Sequence, residues 1–265
     1  MRPKLTKSWV SLLFRRNSRE ALPALIQVAD TKGEFHAHST SSDGAQTIEQ
    51  MAEAAQAQGY EYLGITDHSQ SLKIAHGLSE EALWKQIRHI DKLNDKTCGI
   101  RILKSAEVDI LANGSLDYPD SLLKELDYTV CFIHSKFAMN KTAQTERILC
   151  AMDHKYFNIL GHATGRKLLK RPGYQIEVDR VLRQARTNDC FVEINSSPQR
   201  LDLSAVNACL PRQAGVKIAI TTDAHATREF DYVSCGVDQA RCAGLTKVAV
   251  LNSLPWRQLQ PLLRC

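Results

Sequence analysis

Seven short runs rich in β-branched and aromatic residues follow one another after residue 32, each separated from the next by a segment of helical period. They are GEFHAH (33–38), YLGIT (62–66), ILKSAEVDI (102–110), YTVCFI (128–133), FNILG (157–161), CFVEIN (190–195) and VKIAIT (216–221). The intervening helices carry their own start and stop signals. Thr47 to Gln50 forms a capping box, with Ile48, Met51, Ala52 and Ala55 on one face and Gly59 as the stop. Ser79 caps a second helix, with Glu80 and Glu81 in its first turn and Leu83, Ile87 and Ile90 along one face. LDYPDSLLKEL, TERILCAMDH, VDRVLRQA and LSAVNACL supply the later helices. Strict alternation of this kind predicts parallel strands joined by right-handed crossovers. Seven strands fit a closed α/β barrel better than an open sheet, and 265 residues are enough to fill one such domain.

The chemistry-bearing residues sit at one end of that pattern. In EFHAHSTSSDG (34–44), His36 and His38 are two apart on a strand, so they project together, and Asp43 follows in the loop. Strand two ends in Thr66-Asp67-His68, and strand three carries Glu107 and Asp109. Strand four ends in His134, strand five in His162, and strand seven in Asp223-Ala-His225. Six of the nine histidines therefore fall at the carboxyl ends of predicted strands, where a parallel barrel gathers its chemistry at one mouth. Histidines that merely fill a core would be scattered. Imidazole with carboxylate and no thiolate suits Zn²⁺, Mn²⁺ or Fe²⁺ rather than a structural zinc site. The ligand candidates His36, His38, Asp43, His68, Glu107, His134, His162, Asp223 and His225 are too many for one ion and enough for two to three. Clustered divalent ions activate a hydroxide and clamp the attacking and leaving oxygens of an in-line displacement, which makes phosphoester hydrolysis the expected reaction. Glu107, His134, Asp223 and His225 are the candidates closest to that reaction.

Composition narrows the setting. No apolar run approaches the ~18 residues of a membrane span. The eight cysteines form no CxxC pair, so the reading is a reduced, cytoplasmic protein. Of the net charge of +5, residues 1–30 hold +4 (six Lys/Arg against Glu20 and Asp30), leaving +1 on 31–265. A basic arm (1–30) on a near-neutral body (31–265) is compatible with phosphate-backbone contact, with a frayed terminus, or with a targeting segment.

In this order, HAHSTSSDG, ITDHS, EVDIL, IHS, GHATGR and TDAH resemble the polymerase and histidinol phosphatase (PHP) superfamily. They are most similar to the PHP domain at the C-terminus of bacterial family X DNA polymerases. AHGLSEE, NGSLDYPDSLLKELDY, RPGY, EINSSPQRLDL and the run-in LPALIQVADTKGEFHAH extend the resemblance over roughly residues 21–252. It implies a distorted (β/α)7, TIM-like barrel with three metal ions at the carboxyl ends of the strands. By that similarity His36, His38, Glu107 and Asp223 hold the first ion. Glu107 bridges to a second, which also takes His134 and His162, while Asp43, His68 and His225 hold the third. Family members of this type are manganese-stimulated 3′–5′ exonucleases and 3′-phosphate or abasic-site phosphodiesterases. The expected function is therefore a DNA-repair-type phosphoesterase acting on DNA 3′ ends. The alternative is a phosphatase for a small monoester such as histidinol phosphate. Nothing in the first 30 residues resembles a polymerase domain, so a polymerase would be a separate partner. A degenerate, purely structural barrel would have lost ligands, and none is lost. Amidohydrolases share the opening HxH but use a lysine ligand that is missing here.

Other residues carry secondary expectations. Asp67 should orient a neighbouring ligand rather than bind metal, and Asp109 should make a structural hydrogen bond. Arg166, Lys170, Arg171 and His76 are the candidate substrate contacts, with Lys136, Arg200 and Arg228 also near strand ends. The segment TGRKLLKRPGYQI (164–176) places cations beside Tyr174, as a groove for a strand with a stacking base would. His89 and His154 read as surface residues.

Overall fold

A computed structural model of the chain describes residues 23–96 and 99–263. Seven parallel strands form one sheet in sequence order: β1 (Gly33–Ala37), β2 (Tyr62–Ile65), β3 (Arg101–Asp109), β4 (Tyr128–Phe132), β5 (Ile159–Leu160), β6 (Phe191–Asn195) and β7 (Ile218–Thr221). Helices α1 (Ile48–Ala57), α2 (Glu80–Asn94), α3 (Asp120–Leu123), α4 (Lys141–Met152), α5 (Val178–Thr187), α6 (Ala205–Ala214), α7 (Val233–Cys242) and α8 (Trp256–Leu259) follow the strands. The capping box closes α1 as its sequence requires: Thr47 Oγ1 accepts Gln50 N at 3.3 Å, and Gln50 Oε1 accepts Thr47 N at 3.0 Å. Ile48, Met51, Ala52 and Ala55 of α1 are buried, as are Leu83, Ile87 and Ile90 of α2.

The barrel nearly closes between β1 and β7. Near its carboxyl end, His38 N donates to Ala224 O at 2.8 Å and Ala224 N to His36 O at 3.2 Å. Lower on the same seam the buried Asn252 side chain takes the place of a ladder. Its Nδ2 donates to Gly33 O (2.9 Å) and Ile220 O (2.8 Å), and its Oδ1 accepts Ile220 N (3.1 Å). Inside the barrel, Phe35, Tyr62, Leu103, Tyr128, Val130, Phe132 and Ile159 pack together. Gly64 must lack a side chain, because a Cβ there would collide with the Tyr128 hydroxyl. Since Asn252 alone satisfies three main-chain groups across the seam, Asn252→Ala is expected to cost about 2–4 kcal/mol. The check is the chemical-denaturation midpoint, and a loss below about 0.5 kcal/mol would contradict the role.

Two sequence expectations shift. Strand five, expected over 157–161, contracts to Ile159–Leu160. Asn158 Oδ1 accepts Thr129 N at 2.9 Å and Thr129 Oγ1 donates to Tyr156 O at 2.5 Å, so side chains replace the ladder there. LDYPDSLLKEL yields the single turn Asp120–Leu123, opened by Pro119. Of the arm, residues 1–22 lie outside the described residues. Ile26 is fully buried and its N–H donates to Leu245 O at 3.0 Å, so this part of the run-in docks on the barrel.

Candidate metal centre

The site begins with a kink in β1. Glu34 pairs with Leu63 but Ala37 with Ile65, so β1 carries one extra residue at this point. The buried Glu34 carboxylate fills the gap in the ladder: Oε1 accepts the N–H groups of Phe35 (2.9 Å) and His36 (2.8 Å), and Oε2 accepts Thr222 N (3.1 Å). Burial raises its pKa to about 7 against these bonds. Beyond the kink, His36 and His38 enter the barrel mouth together, with ring centroids 5.2 Å apart.

Glu107 on β3 stands at the centre and is 1% exposed. Its Oε2 approaches His68 Nδ1 (2.6 Å), His38 Nε2 (3.2 Å) and His36 Nε2 (3.5 Å). Its Oε1 faces His134 Nε2 (3.3 Å) and His162 Nε2 (3.7 Å). Asp223 Oδ1 adds His38 Nε2 (3.2 Å) and His36 Nε2 (3.4 Å). Asp43 Oδ1 meets the Nε2 atoms of His68 and His225, both at 3.4 Å. Three groups emerge whose donor atoms lie within 4.8 Å of one another: His36, His38, Glu107 and Asp223; His38, Asp43, His68 and His225; and His68, Glu107 and His134. With His162 on Glu107 Oε1, the structure brings all nine sequence candidates into one constellation. It adds His38 to the Asp43 group and His68 to the Glu107 group.

One nitrogen of several rings is committed elsewhere, which aims the other inward. His36 Nδ1 pairs with Glu193 Oε1 at 2.6 Å, His225 Nδ1 with the Asp223 carbonyl at 2.9 Å, and His134 Nδ1 lies 3.3 Å from Asp109 Oδ1. Asp223 is held at a left-handed φ of +55°. Its Oδ2 accepts Asn195 Nδ2 and Arg200 Nε, each at 3.1 Å, which leaves Oδ1 for the histidines. Phe132 floors the site, stacked on His162 at 4.2 Å and on His36 at 5.6 Å. Asp67 binds no ligand histidine. It accepts Ser39 N (2.8 Å), Ser39 Oγ (2.6 Å) and Gln86 Nε2 (3.0 Å), bracing the loop that carries Asp43.

The donor set fits divalent ions. His36 Nε2, both His38 nitrogens, His68 Nδ1, both His162 nitrogens and Glu107 Oε2 are buried without a hydrogen-bond partner, and the 2.6 Å approach of His68 to Glu107 lacks hydrogen-bond alignment. Buried orphans cost about 1–3 kcal/mol each, and cations among them would satisfy the whole group. The electrostatics agree. Burial pulls His68 and His225 down, but Glu107 and Asp43 hold His68 up at about 10, and Asp43 and Asp223 hold His225 up at about 9. Burial raises Glu107, yet His68, His134 and His162 keep it well below the usual carboxylate range. Burial and the flanking His225 and His68 lower His38 to about 3. At least two imidazoles thus keep protons at neutral pH that a cation must displace, so loading should release protons and affinity should rise with pH up to about 10. Calorimetry of metal binding at pH 7.5, in buffers of different ionisation heat, should show at least about one proton released per chain. No release would contradict this charge distribution.

Above the ligands opens a cleft of about 640 Å³, floored by Asp43, His68, His134, Asp223 and His225 and walled by Leu72, Ile74, Phe137, Lys167, Arg171, Ser197 and Arg200 among others. The expected substrate contacts divide here. Arg171 lines the cleft, its guanidinium 3.8 Å over the Phe137 ring and bonded to Gly165 O. Arg166, Lys170 and His76 are not cleft residues. Arg166 spends its fork on the carbonyls of Arg200 and Leu201, Lys170 sits outward on the 167–171 hairpin, and exposed His76 ends the 73–75 turn in a left-handed conformation. Lys136 and Arg228 do not line the cleft either. Tyr174 buries its hydroxyl and stacks on Phe137 at 6.2 Å, and it does not line the cleft, whose aromatic residues are Phe137 and Tyr232. His89 pairs with Glu49 at 2.9 Å and His154 with Asp120 at 3.0 Å, both away from the cleft.

Four residues of consequence escaped the sequence reading: Glu193, Glu34, Lys167 and Arg147. Glu193 is fully buried, bonded to His36, to Thr221 Oγ1 (2.6 Å) and to His162 N. A charged residue inside the apolar run CFVEIN was the available signal. Arg147, 3% exposed, donates to Leu111 O (2.9 Å), Ser135 O (2.9 Å) and Ile110 O, tying together the loops behind Asp109 and His134.

Comparison with known proteins bears on this geometry. Over 240 residues the chain is 40% identical to the "DNA polymerase/3'-5' exonuclease PolX" of Bacillus subtilis (strain 168), a match covering 91% of this chain and 42% of that one. This chain thus spans less than half the length of that relative. A "probable phosphatase" of Thermoanaerobacter sp. (strain X514) is 30% identical over 233 residues, covering 82% of this chain and 89% of the relative. The fold matches a crystal structure of histidinol phosphate phosphatase from Lactococcus lactis subsp. lactis Il1403, complexed with zinc, L-histidinol and phosphate. There the TM-score is 0.56 at 17% identity, covering 81% of this chain and 94% of that one. The PHP domain model matches residues 34–197. A seven-stranded barrel with histidines and carboxylates converging at its mouth, matched in sequence and in fold, places the chain in the PHP family of metal-dependent phosphoester hydrolases.

Proposed function

We propose that the chain hydrolyses phosphoesters at DNA 3′ ends, using two to three divalent transition-metal ions. The observation that carries this reading is the wall of the cleft: three cations, Lys167, Arg171 and Arg200, share it with the apolar side chains Leu72, Ile74 and Phe137 and with the ring of Tyr232. Cations to track a backbone, beside apolar and aromatic side chains for a base to pack on, are what a strand end requires. The 40% identity to a relative described as a 3′–5′ exonuclease supports the same substrate. Bound ions would polarise the phosphoryl group and lower the pKa of a coordinated water. The chain's own residues do the rest. His36, His38, Glu107 and Asp223 would hold one ion, Glu107, His134 and His162 a second, and Asp43, His68 and His225 a third. Glu107, with Oε2 toward His36 and His38 and Oε1 toward His134 and His162, would serve both of the first two. Arg200, on Asp223 and in the cleft wall, is placed to neutralise the substrate phosphate.

A second reading, a small-monoester phosphatase, is favoured by the phosphatase relative whose length this chain nearly spans. Rates with Mn²⁺ on 3′-recessed DNA, 3′-phosphorylated DNA, histidinol phosphate and p-nitrophenyl phosphate decide between them. The DNA reading expects the highest kcat/KM on a DNA end, and histidinol phosphate exceeding every DNA end would overturn it. Among the described residues no helix is long and apolar enough to cross a membrane.

A further inference from the structure

The hairpin over 167–171 ends in a side chain that the fold does not use. Lys167 N donates to Arg171 O at 2.9 Å and Arg171 N to Lys167 O at 2.8 Å, closing a tight turn. Leu169 at its tip is completely exposed, at 108%, and holds a left-handed φ of +60°. Glycine or asparagine would suit both the solvent and this backbone better. The turn is well fastened. Leu168 N donates to Gln199 O at 2.7 Å, the Arg171 guanidinium grips Gly165 O and covers Phe137, and Arg166 ties the hairpin's first strand to the 200–201 loop. A rigid support therefore presents an apolar knob to solvent. The base of the hairpin lines the catalytic cleft through Lys167 and Arg171, while Lys170 flanks the tip.

We propose that this hairpin is a wedge for duplex ends: Leu169 packs on the outermost base pair while Lys167 and Lys170 hold the backbone, so that the 3′ strand reaches the metal centre unpaired. The inference rests on the DNA 3′-end reading above. Apolar side chains flanked by cations are the usual means of prying stacked bases apart, and only an extended substrate spans both the cleft and a tip beyond it. A membrane surface would also accept a leucine beside lysines, but it would not explain why the hairpin's base forms the cleft wall.

The test is Leu169→Asn, because asparagine tolerates the left-handed turn and the thermal midpoint should hold or rise. Cleavage with Mn²⁺ is read on a blunt duplex, on the same 3′ strand unpaired, and on p-nitrophenyl phosphate. Duplex cleavage should fall at least about fivefold, while the unpaired strand and p-nitrophenyl phosphate stay within about twofold. Equal loss on duplex and single strand, or no loss on duplex, overturns the wedge and leaves the DNA reading standing. Unchanged duplex cleavage with lost binding to anionic phospholipid vesicles overturns it in favour of a membrane contact. Turnover of p-nitrophenyl phosphate without cleavage of any DNA end by the unmodified protein overturns both.

Discussion

Replacing Glu107 by glutamine is expected to lower kcat/KM on every phosphoester by at least about 10³-fold, roughly 4 kcal/mol of transition-state stabilisation. The fold should survive, since the amide matches the carboxylate in shape. The size of the effect follows from geometry. One oxygen faces His36, His38 and His68, and the other faces His134 and His162, so a single charge serves two groups of donors. Removing it leaves five imidazoles converging without their central counter-charge. Elemental analysis should find the variant short by more than one ion per chain. A variant with full ion content and only a few-fold loss of rate would contradict the shared role.

The second large effect is expected at Arg200. Its Nε donates to Asp223 Oδ2 at 3.1 Å, and its side chain, 13% exposed, also forms the cleft wall. Loss of its charge-assisted bond to Asp223, together with the phosphoryl contact proposed above, should cost about 2–4 kcal/mol in the transition state. Arg200→Ala should therefore slow p-nitrophenyl phosphate and DNA ends alike, by about 10²-fold. Lys167→Ala should spare p-nitrophenyl phosphate and slow DNA ends by about tenfold, because Lys167 lies on the wall while Arg200 is the cation bonded to Asp223. An Arg200→Ala defect confined to DNA would return Arg200 to the groove and remove it from the reacting phosphate.

The residues differ in how openly they announce themselves. Histidines at strand ends are conspicuous because strand period and barrel topology together dictate where they point. That logic puts nine candidates at the barrel mouth, where their side chains converge. It could not say that His38 presents one nitrogen toward Glu107 and the other toward Asp43, because that depends on ring orientation. Glu193 was hidden for a related reason: one glutamate in a strand is an ordinary surface residue until the barrel places it on His36 Nδ1. The hairpin shows the limit of composition. Arg166, Lys167, Lys170 and Arg171 are neighbours of like charge, yet the turn sends Arg166 to two carbonyls, Lys170 to solvent, and only Lys167 and Arg171 into the cleft. Strand five is shorter than the apolar run FNILG because the Asn158 amide, not its main chain, takes Thr129 N.

Metal titration of the stripped protein tests most directly whether a metal cluster is built on Glu107. Chelated protein is loaded stepwise with Mn²⁺, while bound ions and p-nitrophenyl phosphate hydrolysis are measured on the same samples. The cluster predicts no hydrolysis without metal, little at one ion per chain, and full activity only as the count passes about two. Full activity in the metal-free protein, or saturation at a single ion per chain, would contradict it.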